Sequence, residues 1–376
     1  MARIRQLHLV LLLAVVICVA EVATQVSGAQ AASWVKDLKT LGYPTHLTAN
    51  FSKTLGSAPT KLAFADQEHL VITFVSADPN PSGQEGRPDS VSLRLHIIVL
   101  ETRTGEVDAK RDWPTPNSGA GVIAGRDGKI VVRTGDKLTL YNTTLEALKR
   151  TDAKTSFKDF SSPSGRFLLL EFSSGIHAQF GWMNADTLEI LSSFSDSLAA
   201  QTMSDTKVVG WKIPETRPIE MVVRTPRDSG RVINPPGSSP GTVAFVDEDT
   251  LAIGSGNSPI QLIRTDGTLL ESITPHIHDF LNRITPSAEG HRFAFTGSTI
   301  RNASEILSPQ QTWEYVQRIN VYDVSTHNFV GEIKVNNSAR NRDFPLALSP
   351  NGSMLAFLDG ESLKLYRLPL IEDSHP

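Results

Sequence analysis

The side chains best suited to chemistry stand in two short polar segments. In PHIHDF, His276 and His278 alternate and Asp279 follows. Alternate residues of an extended segment point the same way, so two imidazoles and a carboxylate have the donor set for a shared metal ion. A metal site normally needs three or four convergent ligands, and nothing else in the chain has ligand spacing. The triplet therefore reads as a ligand contact or a surface cap, and no metal or other cofactor is expected. In NNSARNRDF, Arg340 and Arg342 precede Asp343. Paired guanidinium forks suit a carboxylate or phosphate; the plainer reading is a solvated loop with a local Arg-Asp pair, which is worth little. Trp313, beside a long polar insertion, is the tryptophan placed for contact with a ligand.

Other reactive residue types read as structural. The serines fall in turns such as SSPSG and SPNG, where their hydroxyls hold backbone geometry, so no nucleophile elbow is read from the sequence. Asp66, Asp127, Asp205, Asp247 and Glu248 recur beside short turns, where carboxylates cap local amides. Trp113, Trp182 and Trp211 fall in or beside apolar runs and read as packing wedges.

Bulk properties narrow the function classes. Arg3 and Arg5 precede an apolar run of 12 residues, Leu9 to Ala20, followed by Ser27, Gly28, Ala29 and Ala31. That is the layout of a secretory signal peptide, and the run is short of the roughly 20 residues that cross a bilayer. Residues 1–31 are expected to be removed, leaving a secreted or periplasmic protein with no membrane insertion. The one cysteine, Cys18, lies inside that run. The mature chain would then lack disulfides, cysteine nucleophiles and thiolate metal sites. Setting aside Arg3, Arg5 and Glu21 leaves 34 Lys+Arg against 39 Asp+Glu, with no basic stripe. Nucleic acid is therefore excluded as a partner on electrostatic grounds.

The elements that must position these residues come from an internal repeat. A short apolar segment, a polar turn and a second apolar segment recur in LAFADQEHLVITFV, VIAGRDGKIVVRTG, FSSPSGRFLLLEF, TMSDTKVVGW, AFVDEDTLAIGSG, ITPSAEGHRFAFTG and LALSPNGSMLAFLDG. Runs of four to six apolar residues bounded by turn residues are strands paired as hairpins. Segments such as LHIIVLETRTGEVDAKRDW and INVYDVSTHNFVGEIKV add two more strands to each unit. Leu70, Ile130, Phe167, Val208, Leu251, Phe293 and Leu355, which open the second strands, are 60, 37, 41, 43, 42 and 62 residues apart. A period near 40 with four strands describes a propeller blade. On these segments the chain resembles the WD-type, YVTN-type and TolB-like propeller repeats over about residues 45–369, although IPETRPIEMVVRTPRDSGRVI matches poorly. The resemblance implies architecture alone, because such propellers host unrelated functions.

The expected fold is all-β: a seven-bladed propeller with four antiparallel strands per blade over residues 45–369, followed by a tail at 370–376. LKLYRLP ends the last unit one strand short, and HLTANFS, His46 to Ser52, is a spare strand expected to complete it and close the ring. Trp34, Leu38 and Leu41 lie at helical spacing, so residues 32–44 are expected to hold a short helix packed as a lid on one face. The long intervals place insertions at 76–92 and 298–313, between second and third strands of blades one and six, on the opposite face. With the blade connections, they bring His276, His278, Asp279, Arg340, Arg342 and Trp313 to that face as candidate ligand contacts. The expected function is an exported, non-catalytic propeller binding a protein, glycan or small ligand there. The alternative is a lactonase-like or other hydrolase with its site at the central channel mouth, since a site drawing one residue per blade leaves no local motif.

Overall fold

The computed structural model describes residues 31–42, 60–77, 93–115, 120–153, 158–173, 178–212, 220–234, 241–256, 258–274, 280–300, 315–335 and 345–369. Their regular structure is all strand. β1 (Trp34–Asp37) precedes blade one, which comprises β2 (Lys61–Phe64), β3 (His69–Ala77), β4 (Leu93–Glu101) and β5 (Val107–Thr115). Blade two is β6 (Gly121–Arg126), β7 (Lys129–Thr134), β8 (Lys137–Asn142) and β9 (Ala147–Asp152). Blade three is β10 (Lys158–Ser161), β11 (Phe167–Ser173), β12 (Ala178–Asn184) and β13 (Glu189–Asp196). Blade four is β14 (Leu198–Met203), β15 (Val208–Lys212), β16 (Glu220–Arg224) and β17 (Arg231–Ile233); blade five is β18 (Thr242–Phe245), β19 (Thr250–Gly254), β20 (Ile260–Arg264) and β21 (Leu269–Ile273). Blade six is β22 (Phe280–Pro286), β23 (Arg292–Ile300), β24 (Tyr315–Asp323) and β25 (Asn328–Val335); blade seven holds β26 (Leu346–Leu348), β27 (Met354–Asp359) and β28 (Ser362–Arg367).

These strands form seven antiparallel sheets of four, each in chain order except the last, which runs β1-β28-β27-β26. The first strands of successive blades touch in a closed circuit, β2 to β6 to β10 to β14 to β18 to β22 to β26 and back to β2. The molecule is thus a seven-bladed β-propeller with those strands around its axis. Middle strands such as β11, FLLLEFS, are buried on both faces because each blade is packed on two sides, so they read as continuous apolar runs. Outermost strands such as β9, ALKRTD, face water and are polar. Seven apolar clusters fill the seven gaps between neighbouring blades. Trp113 tilts against Tyr141 of blade two at 5.2 Å, a wedge between blades as its position in the sequence suggests.

Closure follows the expected principle with a different segment. The strand that completes blade seven is β1, in register Trp34 to Leu365 through Asp37 to Ser362. It belongs to the segment expected to be a helical lid; His46 to Ser52 lies outside the described residues. Trp34, Leu38 and Leu41 do share one apolar cluster, but strand alternation followed by a turn brings them there rather than a helix. The chain turns after Asp37, whose carbonyl accepts the Thr40 amide at 3.0 Å while its Oδ1 accepts the Lys39 amide at 2.9 Å. Leu38 and Leu41 then enter the gap between blades seven and one, and the Trp34 indole donates to the Thr102 carbonyl of blade one at 2.8 Å. The free edge of β28 explains the outcome: its unpaired backbone groups are satisfied by the first strand that reaches them.

The face carrying the turns between first and second strands is interlocked from blade to blade. Gly128 donates to the Ala65 carbonyl, Ser164 to Asp205, Ser204 and the Asp205 amide to Glu248, and the Glu289 amide to the Pro350 carbonyl. Gly165 and Gly290, both at positive φ, lie so close to the preceding blade that a Cβ would sit 2.8 Å from the Gly125 oxygen and 2.9 Å from that of Val246. Asp66 and Asp247 cap their own turns, accepting two amides each at 2.7–2.8 Å, as expected of turn carboxylates. Asp205 and Glu248 instead bond the turn of the blade before them.

Between blades six and seven this lock contains a buried ion pair. Arg292 Nε donates to Asp323 Oδ2 at 3.0 Å, and its Nη1 reaches the Gly352 carbonyl at 3.1 Å. Burial alone would raise the Asp323 pKa; bonds from the Ser325 side chain, the Thr326 amide and Arg292 outweigh it and hold the carboxyl below its ordinary value.

Two outcomes test this architecture. Leu38→Ala should cost about 2–5 kcal/mol in chemical denaturation, as loss of a core side chain does, whereas Val35→Ala, on the exposed side of the preceding strand β1, should stay within about 0.5 kcal/mol. Asp323→Ala leaves Arg292 buried and unpaired and should cost about 3–5 kcal/mol near neutral pH. Because the folded-state pKa is depressed, the wild-type advantage is full above the ordinary carboxylate value of about 4. It should shrink as pH falls through the folded-state value, which denaturation midpoints measured across acid pH will show.

Candidate functional site

Strand length singles out one sector of the face opposite the interlocked turns, here the upper face. Every pair of second and third strands starts at the lower turns, but β3-β4 and β23-β24 run for nine paired residues, His69 to Ala77 and Arg292 to Ile300. The corresponding pair in blade seven, β27-β28, has six. Three further residues at about 3.3 Å each raise the hairpins of blades one and six roughly 10 Å above blade seven, which lies between them in the ring. Among the described strands the hairpins of blades one and six thus stand above blade seven, and the space between them is here called the notch. The insertions were expected on these two hairpins; residues 78–92 and 301–314 lie outside the described residues.

Alternation decides which side chains line the walls. In blade one Leu70, Ile72 and Phe74 pack toward blade seven, as do Ile98 and Leu100, so Ser76, His96 and Asp112 share that side. In blade six Ala294, Ile319 and Val321 pack toward blade seven, which places Thr296, Ser298 and Gln317 on the facing wall. All three are buried.

On the blade one wall three polar side chains form a continuous relay. Ser76 Oγ lies 2.7 Å from His96 Nε2, and His96 Nδ1 lies 2.8 Å from Asp112 Oδ1. A carboxylate only accepts, so Nδ1 carries a proton, and in the neutral imidazole Nε2 then presents its lone pair to the Ser76 hydroxyl. The imidazole stacks on Phe74 with ring centroids 4.6 Å apart and planes 15° from parallel. Register builds this arrangement: Phe74, His96 and Asp112 stand directly opposite one another across β3, β4 and β5, and Ser76 is the next residue up on the same side. No motif marks it, because 20 and 16 residues separate its members.

A second polar group lies at the upper end of the inner strands. Arg133 of blade two grips Asp159 of blade three through two bonds, Nε to Oδ2 at 2.6 Å and Nη2 to Oδ1 at 2.9 Å. Burial pulls the Lys61 pKa down; Asp159 opposes that shift and Arg133 adds to it. Asp159 thus interacts with two cations, Arg133 and Lys61.

His276, His278, Asp279, Arg340, Arg342 and Trp313 lie outside the described residues. Among the described residues no group of three or more His, Cys, Asp or Glu has metal-binding geometry. One string does carry the letters of a nucleophile elbow, Gly237-Ser238-Ser239-Pro240-Gly241. It leads into strand β18, whereas an elbow leads into a helix.

No protein-family model matches this sequence, and no curated protein matches it. Among solved structures it is similar to the C-terminal WD40 domain of Sif2, at 13% identity over 82% of this chain and 95% of that one, with a TM-score of 0.46. It is also similar to Raptor from Chaetomium thermophilum, at 12% identity and a TM-score of 0.53. That match covers 84% of this chain and 28% of the Raptor chain, so the chain spans under a third of that protein's length. At such identities the likeness is one of fold: the chain is built as a β-propeller.

Proposed function

We propose that this protein is an exported binding scaffold that takes a partner protein into the notch over blade seven. The raised hairpins of blades one and six carry the reading: these two pairs alone reach nine residues among the described sheets, and they flank the same blade. Extended segments on a rigid ring are a common seat of recognition. The closed ring supplies rigidity, so a partner contacts preformed walls and little ordering entropy is lost. Residues 1–31, with their basic start and short apolar run, support export. The proposal extends to the two insertions, Trp313 included, and to Arg340 and Arg342, as further candidate contacts read from the sequence. The Ser76-His96-Asp112 relay favours a second, hydrolytic reading, placed on the rim of blade one rather than at the channel mouth.

The test replaces residues 78–92 and 301–314 by two-residue Asn-Gly turns and compares captured partners by cross-linking and mass spectrometry. The expected result is a variant with unchanged thermal unfolding whose cross-links to other proteins from the notch walls are lost. Capture of the same partners through the same residues would overturn the reading.

A further inference from the structure

We infer that Ser76 is a nucleophile for carboxylic esters, activated by His96 and Asp112, an activity beyond partner binding and independent of it. Three observations carry this. The connectivity is that of an activated serine: hydroxyl to Nε2 at 2.7 Å, then Nδ1 to carboxylate at 2.8 Å. The imidazole is positioned twice, by the carboxylate at Nδ1 and by the stacked Phe74 ring, which fixes both its tautomer and its plane. The relay also lies on the wall of the notch, with Ser76 itself 7% exposed. The Asp112 side chain is 36% exposed and that of His96 13%. A solvated hydrogen-bonded ladder would need no such order, whereas a nucleophile needs a base oriented by a third group.

The reaction follows from the geometry. Ser76 Oγ forms a bond to the ester carbonyl carbon as its proton passes to His96 Nε2, and Asp112 stabilises the imidazolium. Arg94 stands directly opposite Ser76 in register and on the same side of the sheet. The carbon-oxygen bond to the alkoxy group then breaks, and the departing oxygen takes the proton from Nε2, leaving acyl-Ser76 and an alcohol. Water repeats the sequence on the acyl group and restores the serine. One ester and one water become one acid and one alcohol.

The experiment treats the mature full chain with a fluorophosphonate probe and, separately, with p-nitrophenyl acetate. Peptide mass spectrometry should locate the phosphonyl adduct on Ser76, and turnover should follow single-site kinetics. Ser76→Ala should remove the adduct, and both it and His96→Gln should lower kcat/KM by about a hundredfold or more. Asp112→Asn should lower kcat with little change in KM, because it disturbs the tautomer and not the binding surface. Leu148→Ala, exposed on the outermost strand of blade two and away from the notch, should leave the rate within about twofold. Absence of an adduct at Ser76 in the wild-type chain, which does not depend on how any variant folds, overturns the inference. So does a Ser76→Ala protein that hydrolyses the ester at the wild-type rate.

Discussion

The structure depends on one backbone pairing between the two ends of the chain. A propeller blade that stops at three strands leaves a row of unsatisfied amides and carbonyls along its outer edge, and burying or aggregating such an edge is costly. Here β1 satisfies the edge of β28. In doing so it carries Leu38 and Leu41 into the gap between the first and last blades, where the circuit of inner strands must meet. Continuous chain leads across this gap too, from β1 to β2, so the ring is held shut by the noncovalent pairing of β1 with β28. Trp34 reinforces it from the lower side by bonding blade one directly.

The two faces of the ring are built on different physical terms. On the lower face the turns are short and touch their neighbours, with glycines where a side chain would collide and carboxylates where an amide needs an acceptor. Such close contact resists insertion, because added volume would push neighbouring blades apart. The upper face also has bonds between blades, Arg133 to Asp159 and the Leu281 amide to the Gly256 carbonyl, but there β3-β4 and β23-β24 extend beyond their neighbours. Length variation collects on that face, which is also where recognition and chemistry are proposed.

Within that face the relay shows how a sheet can align distant residues without a motif. Side chains opposite one another on adjacent strands are about 5 Å apart. A carboxylate, an imidazole and a hydroxyl on three neighbouring strands therefore fall into bonding contact when register and sidedness agree. The nine-residue pairing of β3 with β4 supplies the register. A blade of ordinary length would end before Ser76, so the same extension that raises the wall of the notch also creates the position of the hydroxyl.

The number of blades, their four-strand make-up and the sectors of the long insertions were legible in the residues. They depend on local pattern: apolar runs of strand length, turn residues between them, and a repeating interval. The closing strand was only half legible. That the ends must pair follows from counting strands, but the choice of segment depends on which one reaches the free edge, and the spacing of Trp34, Leu38 and Leu41 suits a helix as well as a strand followed by a turn. The relay of Ser76, His96 and Asp112 was not legible at all. Its members are ordinary polar residues on strands, and only the register between those strands brings them together. Register is settled by the packing of whole sheets against one another, a property of the assembled ring and not of any stretch of chain.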